Sequence, residues 1–146
     1  PLYFPVRWHD GEQSGRKQDA HLDIEESIPK GFRMQFQKTL TDKQNGTDTT
    51  QICYKNKAGD YLASVIGSAE EPYIIKLGNP KKKTSVLGKI VAGLPKTFDL
   101  EKISSAVPKN ISDDPYAVGA VIDVLEHAKV ISTGARNRKE VFYRKK

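Results

Sequence analysis

The spacing of apolar residues changes near residue 80, and this change limits the fold more than any other feature of the sequence. Before it, Phe32, Met34 and Phe36 alternate with polar residues, a period of two that is typical of a half-buried strand. After it, apolar residues recur three and four positions apart, as they do along one face of a helix. We therefore predict an α+β chain with a β-rich domain at 1–80 and a more helical domain at 81–146.

Four further segments of the first half predict short strands, at residues 2–8, 50–55, 61–66 and 73–77. Turn sequences rich in Gly, Asn and Asp separate them, and residues 56–60 are expected to form a hairpin loop. Five short strands joined in this way favour a small barrel or sandwich. The acidic residues at 19–27 fit either a short helix or a loop.

The second half predicts three helices, each with an apolar stripe and its own start or stop signal. The first covers 84–93, and the second has Asp99 or Thr97 as its N-cap and ends before Pro108. The third begins at Asp114, because an acidic N-cap followed by proline is a frequent helix start. The residues expected to face inward are Val86, Leu87, Ile90, Val91, Leu94, Leu100, Ile103, Val107, Val118, Val121 or Ile122, Leu125 and Ala128.

After the third helix, the chain is expected to extend and return on itself. Residues 130–132 and 140–144 pair as a hairpin around a reversal at 133–138 in this interpretation. Four basic side chains lie near its tip and along its return strand: Arg136, Arg138, Lys139 and Arg144. Such a dense cationic strip suits a hairpin that binds phosphates, and the alternative is a charged tail with no binding role.

Charge divides the chain more sharply than composition does. Residues 1–80 contain ten Lys or Arg and eleven Asp or Glu, whereas residues 81–146 contain fourteen and seven, a net charge of +7. A field of this sign on one small domain attracts polyanions, most often nucleic acid. A basic surface that serves only solubility is the alternative. The basic run at 80–83, which includes Lys82, fits a linker that touches phosphates or a short nuclear localisation signal.

Three short helices followed by a basic two-stranded hairpin, in that order between residues 84 and 146, resemble the winged helix-turn-helix family of DNA-binding domains. The stretch from Ala117 to Ile131 is similar to the family's recognition helix where it runs into the first wing strand. The resemblance implies a C-terminal winged-helix domain whose third helix enters the major groove of double-stranded DNA. It also implies that the wing grips a flanking backbone or minor groove.

The third helix departs from the family's pattern at the positions that usually read bases. Gly119 and Ala120, with Ala117 and Tyr116, are expected on its outer face and offer few donors or acceptors to base edges. Polar contacts are expected around its N-terminus instead, where free amides also suit a phosphate oxygen. Packing on the preceding helix is the alternative for Tyr116. The candidate DNA-contacting residues of this region are Lys109, Asn110, Ser112 and Tyr116.

One strand of the first half is a second candidate for reading bases. The outer face of the strand at 32–38 is expected to present four polar residues in a row: Arg33, Gln35, Gln37 and Lys38. Arg with guanine and Gln with adenine form bidentate pairs in the major groove. The alternative is the ordinary polar face of an antiparallel sheet.

These observations favour binding of double-stranded DNA, expected to be sequence-specific, as in transcription regulation. Two alternatives remain. One is the DNA-recognition module of a larger enzyme such as a restriction endonuclease, and the other is a winged helix used for protein contact. Salt dependence separates DNA binding from an apolar protein contact.

The sequence predicts no catalytic set, no metal site and no cofactor, since its three histidines lack metal-ligand spacing and no phosphate-cradling loop is found. A single cysteine fits a reducing compartment, so an intracellular location in cytoplasm, nucleoid or nucleus is expected. No apolar run is long enough to predict a membrane span. Pro1 suggests a processed start or a fragment, and both a homodimer and a larger parent protein stay open as the biological unit.

Overall fold

The chain consists of two compact units, residues 1–76 and 77–146. The structure is a computed structural model that describes residues 3–5, 26–67, 72–112, 114–137 and 140–145. We call the two parts the N-terminal unit and the C-terminal unit. The division falls between Lys76 and Leu77, within the strand Tyr73–Gly78, whereas the sequence predicts it between residues 80 and 81. We describe this strand with the sheet of the N-terminal unit.

The N-terminal unit contains an open β-sheet. Its strands are β1 (Tyr3–Pro5), β2 (Arg33–Asp42), β3 (Thr47–Lys55), β4 (Tyr61–Gly67) and β5 (Tyr73–Gly78). They lie in the order β1-β5-β4-β3-β2, and the β1–β5, β2–β3 and β3–β4 pairs are antiparallel. The edge strands β1 and β2 do not pair, so the described strands form one open sheet where the sequence favours a small barrel or sandwich.

Strands β2 to β5 lie where the sequence predicts them, and each extends beyond its predicted range at one end. The strand expected at 2–8 is present as β1, and its remainder lies outside the described residues, as does most of the acidic segment at 19–27. The loop expected at 56–60 is confirmed, because Asn56 N donates to the Asp60 carbonyl at 3.1 Å and Asp60 N donates to Asn56 Oδ1 at 2.8 Å.

Strands β3 and β4 lie at the centre of the sheet and supply most of the core of the N-terminal unit. Five side chains pack together, each at most 6% exposed: Ile52, Tyr54, Leu62, Ile66 and Ile74. The partly buried Ile28 and Phe32 pack against this cluster. Burying one aliphatic side chain of this size contributes about 1.5–3 kcal/mol, so the cluster is a main source of stability for this unit. The consecutive residues Ile52, Cys53 and Tyr54 are all at most 6% exposed, so β3 is buried on both of its faces.

A bulge in β2 breaks the alternation that the sequence predicts. Met34 pairs with Tyr54, but the next paired residue of β2 is Phe36, opposite Cys53. The extra residue, Gln35, therefore places Met34 and Phe36 on opposite faces of the strand. Met34 is 59% exposed, so its predicted place in the core beside Phe36 is wrong.

The described residues of the C-terminal unit form four helices and a three-stranded sheet. The helices are α1 (Val86–Gly93), α2 (Leu100–Ala106), α3 (Lys109–Ser112) and α4 (Pro115–His127), and the strands are β6 (Thr97–Phe98), β7 (Ile131–Asn137) and β8 (Glu140–Lys145). The strands pair antiparallel in the order β6-β8-β7. The three predicted helices and the hairpin are confirmed, whereas the short β6 and α3 were not predicted.

The longer helices begin at side chains that accept hydrogen bonds from first-turn amides. Ser85 Oγ accepts from Gly88 N at 2.9 Å, and Asp99 Oδ1 accepts from Lys102 N at 2.9 Å. Asp99 rather than Thr97 is therefore the N-cap of α2. At α4, the predicted cap at Asp114 with proline in the next position is confirmed.

Apolar faces of all four helices meet in the interior of the C-terminal unit. Residues at most 1% exposed include Leu87, Ile90, Ile103, Ile111, Val121, Leu125 and Ile131. Leu100 is an exception to the predicted stripe, because it is 52% exposed at the first position of α2.

None of the described helices has the length and apolar character needed to cross a membrane.

Candidate nucleic-acid interface

Charge is separated along the sequence of the C-terminal unit. Residues 77–98 contain five lysines and no acidic residue, and residues 129–146 contain seven Lys or Arg against one acid, Glu140. Between them, residues 110–128 contain four acids and neither Lys nor Arg. Twelve of the fourteen Lys and Arg residues of the C-terminal unit therefore lie at 77–98 or at 129–146. The other two are Lys102 and Lys109, and the helix α4 contributes none.

The β7–β8 hairpin, which we call the wing, contains two of the four predicted cationic residues of the C-terminus in its described strands. Arg136 lies in β7 opposite Val141, and Arg144 lies in the central strand β8, between Thr97 of β6 and Ser132 of β7. The predicted residues Arg138 and Lys139 lie outside the described residues. Two antiparallel neighbours fix the register of β8, so Arg144 has a defined position along the sheet.

The last residue of β8, Lys145, joins the base of the wing to the rest of the C-terminal unit by a backbone and a side-chain hydrogen bond. Lys145 N donates to the Lys96 carbonyl at 2.9 Å, and Lys145 Nζ donates to the Leu94 carbonyl at 3.4 Å. The wing is therefore held at its base, and one of the three N–H donors of the Lys145 ammonium group takes part in this attachment.

The outer face of α4 is acidic where a base-reading helix needs donors. Tyr116, Gly119, Asp123 and Glu126 recur at intervals of three and four and are partly exposed. Seven other residues of α4 are buried: Ala117, Val118, Ala120, Val121, Ile122, Val124 and Leu125. The predicted placement of Ala117 and Ala120 on the outer face is wrong, since each is 2% exposed. Two carboxylates and no cation on this face repel phosphate oxygens.

The N-terminus of α4 is already occupied by a carboxylate of the chain. Asp114 Oδ1 accepts from Tyr116 N at 2.9 Å, and Pro115 has no N–H to offer. The first-turn amides at these two positions are thus not free for a phosphate oxygen, contrary to the expectation from sequence. Of the other candidates here, Lys109 is exposed, Tyr116 is half-buried, and Asn110 and Ser112 lie in the single turn of α3.

The three candidates on β2 are exposed but do not form the expected row. Arg33 lies opposite Lys55, whereas Gln37 lies opposite Ile52, and these two partners face opposite sides of β3. Gln35 occupies the bulge between them, where its Nε2 donates to the Arg33 carbonyl at 3.0 Å. The bulge therefore removes the geometry on which base reading by this strand depended.

Lys82, the remaining candidate, belongs to a tightly bonded segment at 79–85, which we call the lysine loop. Lys81, Lys82 and Lys83 are exposed along it. Lys82 N donates to the Asn79 carbonyl and Ser85 N to the Lys82 carbonyl, each at 3.0 Å. The loop thus displays three consecutive cations from a backbone with internal hydrogen bonds, a feature that the sequence indicated only as a basic run.

The described residues contain no group of three or more His, Cys, Asp or Glu side chains that could hold a metal ion. No family model, no curated protein and no solved structure matches the chain.

Proposed function

We propose that the C-terminal unit is a winged helix and that the chain binds double-stranded DNA, chiefly by contacts to the phosphate backbone. Two features of the fold support the winged-helix interpretation. The β7–β8 hairpin follows α4 directly, and β6, between the first two helices, pairs with the return strand of that hairpin.

The observation that supports DNA binding most strongly is the separation of charge in the C-terminal unit. Seven cations lie at 129–146, in and around the wing, and five more at 77–98. Phosphate contacts from Lys and Arg supply most of the affinity of proteins for DNA in general. Because α4 contributes carboxylates instead, the wing and not α4 is the main contact in this proposal, and base reading by the outer face of α4 is weak.

A fluorescence-anisotropy titration of the whole chain against a labelled mixed-sequence duplex tests the proposal. Four to six phosphate contacts would make log K fall against log salt with a slope of about −4 to −5. We therefore expect clear binding at about 50 mM KCl and a steep loss by about 200 mM. In an NMR titration with the same duplex, the amide signals of the wing should shift before those of α4. An absence of binding at the lowest salt would contradict the proposal.

A winged helix used for protein contact is the second candidate function. The outer face of α4 favours it, since Asp123 and Glu126 lie there with Tyr116 and no cation. In that case the chain would not bind the duplex even at low salt.

A further inference from the structure

We infer that the lysine loop is a second, preformed contact for the DNA backbone, separate in sequence from the wing. This inference rests on the proposed function and adds to it a second binding surface. The loop is preformed in the sense that its backbone is fixed before any ligand is bound, by hydrogen bonds and by close packing on α1.

The hydrogen bonds of the loop converge on Asn79 and Ser85. Asn79 Oδ1 accepts from Lys81 N at 2.9 Å, and Ser85 Oγ lies 2.8 Å from the Lys82 carbonyl oxygen. The same Ser85 Oγ accepts from Gly88 N in the first turn of α1. One serine therefore joins the loop to the helix, and the three lysines lie between these two anchors.

Close packing restricts the loop further. A side chain at Gly88 would overlap the carbonyl group of Lys82, so the loop backbone lies directly on the helix. At the other end, Gly78 has φ +74°, and a Cβ there would come within 2.7 Å of Ser85 Cβ. Only glycine fits at these two positions. The middle of the loop is therefore packed against α1, and the two ends of the loop are packed against each other.

The cations of the loop have no acidic partner in the described part of the chain. Lys81, Lys82 and Lys83 are exposed, as is Lys89 on α1, and no ion pair to any of the four is found among the described residues. The sequence contains no Asp or Glu from residue 72 to residue 98. Like charges held close together by a fixed backbone favour a polyanion with closely spaced charges, such as a nucleic-acid backbone.

A fixed loop also binds at a lower entropic cost than a flexible basic tail. Only the lysine side chains have to be ordered on binding, because the backbone is already in place. The geometry of the loop should therefore matter in addition to its charge, and the two contributions can be measured separately.

The charge is tested with the triple variant K81A/K82A/K83A in the whole chain, titrated with the labelled duplex at several KCl concentrations. Losing two to three phosphate contacts should reduce the magnitude of the salt slope by about 2 to 3. The matched control is K30A/K43A/K57A, which removes three exposed lysines from the N-terminal unit and lowers the net charge equally. An equal effect of the two triple variants would overturn the inference.

The backbone geometry of the loop is tested with Gly88→Ala, which keeps every charge. The control is Gly93→Ala in the same helix, because a Cβ at Gly93 meets no atom within 4 Å. At a temperature where circular dichroism shows both variants folded, we expect Gly88→Ala to weaken binding severalfold and Gly93→Ala to leave it unchanged. Equal affinities of the two folded variants would overturn the preformed geometry.

The two proposals fail in different ways. If the parent chain does not bind the duplex at all, the proposed function is wrong. If the parent binds and the wing variant R136A/R138A weakens binding while K81A/K82A/K83A does not, only the contact at the lysine loop is wrong.

Discussion

The carbonyl group of Lys82 lies against the backbone of Gly88 with no space for a side chain between them. Ser85, which lies between these two residues in sequence, bonds to both, through its Oγ to the Lys82 carbonyl and to Gly88 N. The exposed lysines and the first helix of the C-terminal unit are consequently parts of one packed element, and a single methyl group at Gly88 should alter its stability.

The first prediction concerns the stability of this element. Gly88→Ala should destabilise the C-terminal unit by about 1–3 kcal/mol, because the added methyl group displaces backbone rather than a flexible side chain. Gly93→Ala should be neutral or stabilising by up to about 1 kcal/mol, since alanine is the better helix former. Urea denaturation of both variants measures the difference, and an equal stability would show that the loop can move away from α1.

The second prediction concerns the wing. Changing Arg136 and Arg138 together to alanine should weaken binding to all duplex sequences about equally and flatten the salt slope by about two. The matched control is K43A/K57A, which removes two exposed lysines from the N-terminal unit. Anisotropy titrations with several unrelated duplexes measure both effects. Wild-type affinity in R136A/R138A would exclude the wing as a contact.

Local signals made most of the fold predictable from sequence. The start of α4 at Asp114 and the N-cap at Asp99 depend on hydrogen bonds within one helical turn, so the residues that decide them are adjacent in sequence. The alternating apolar residues of the strands are equally local. Both kinds of signal identified the helices, the wing hairpin and the strands of the N-terminal unit.

Features set by distant partners were not predictable in this way. The bulge at Gln35 depends on how β2 pairs with β3, and one extra residue reverses every later side chain. Strand β6 has two residues, too few to show any period. At the candidate site, the sequence predicted the cations of the wing. It did not predict the acidic face of α4, although Asp123 and Glu126 are three residues apart and a helix places such residues on one side. The hydrogen-bonded conformation of the lysine loop could not be predicted from the sequence, because it depends on how the loop packs around Gly88.

The third prediction compares two aliphatic residues of α2. Ile103 is fully buried and Leu100 is 52% exposed, although both belong to the predicted apolar stripe. Ile103→Ala should lower the free energy of unfolding by about 2–5 kcal/mol, because it removes buried methyl groups and leaves a cavity. Leu100→Ala should change it by less than about 0.5 kcal/mol. Chemical denaturation of the two variants checks this, and similar losses would mean that Leu100 is packed.

The fourth prediction concerns the cap of α4. Asp114→Ala removes the acceptor for Tyr116 N and should destabilise the C-terminal unit by about 0.5–2 kcal/mol. Asp114→Asn keeps an oxygen acceptor and should retain most of the stability. Thermal unfolding of the two variants separates the contribution of the cap hydrogen bond from that of the negative charge. If asparagine is as damaging as alanine, the negative charge and not the hydrogen bond is what stabilises the start of α4.

The fifth prediction concerns alkaline pH. Burial, and then repulsion from the Cys53 thiolate, raise the pKa of Tyr61 above its ordinary value of 10.0. The folded chain therefore holds this proton more tightly than the unfolded chain does. The resulting stability is fully present below pH 10 and is lost as the pH rises through the folded-state pKa.

In Tyr61→Phe this loss should be absent, so the difference in unfolding free energy between variant and parent should shift in favour of phenylalanine above pH 10. Urea titrations at neutral pH and above pH 10 measure that difference, and the remaining tyrosines and lysines cancel because both chains contain them. Parallel pH profiles for the two chains would show that the Tyr61 hydroxyl titrates as it does in water.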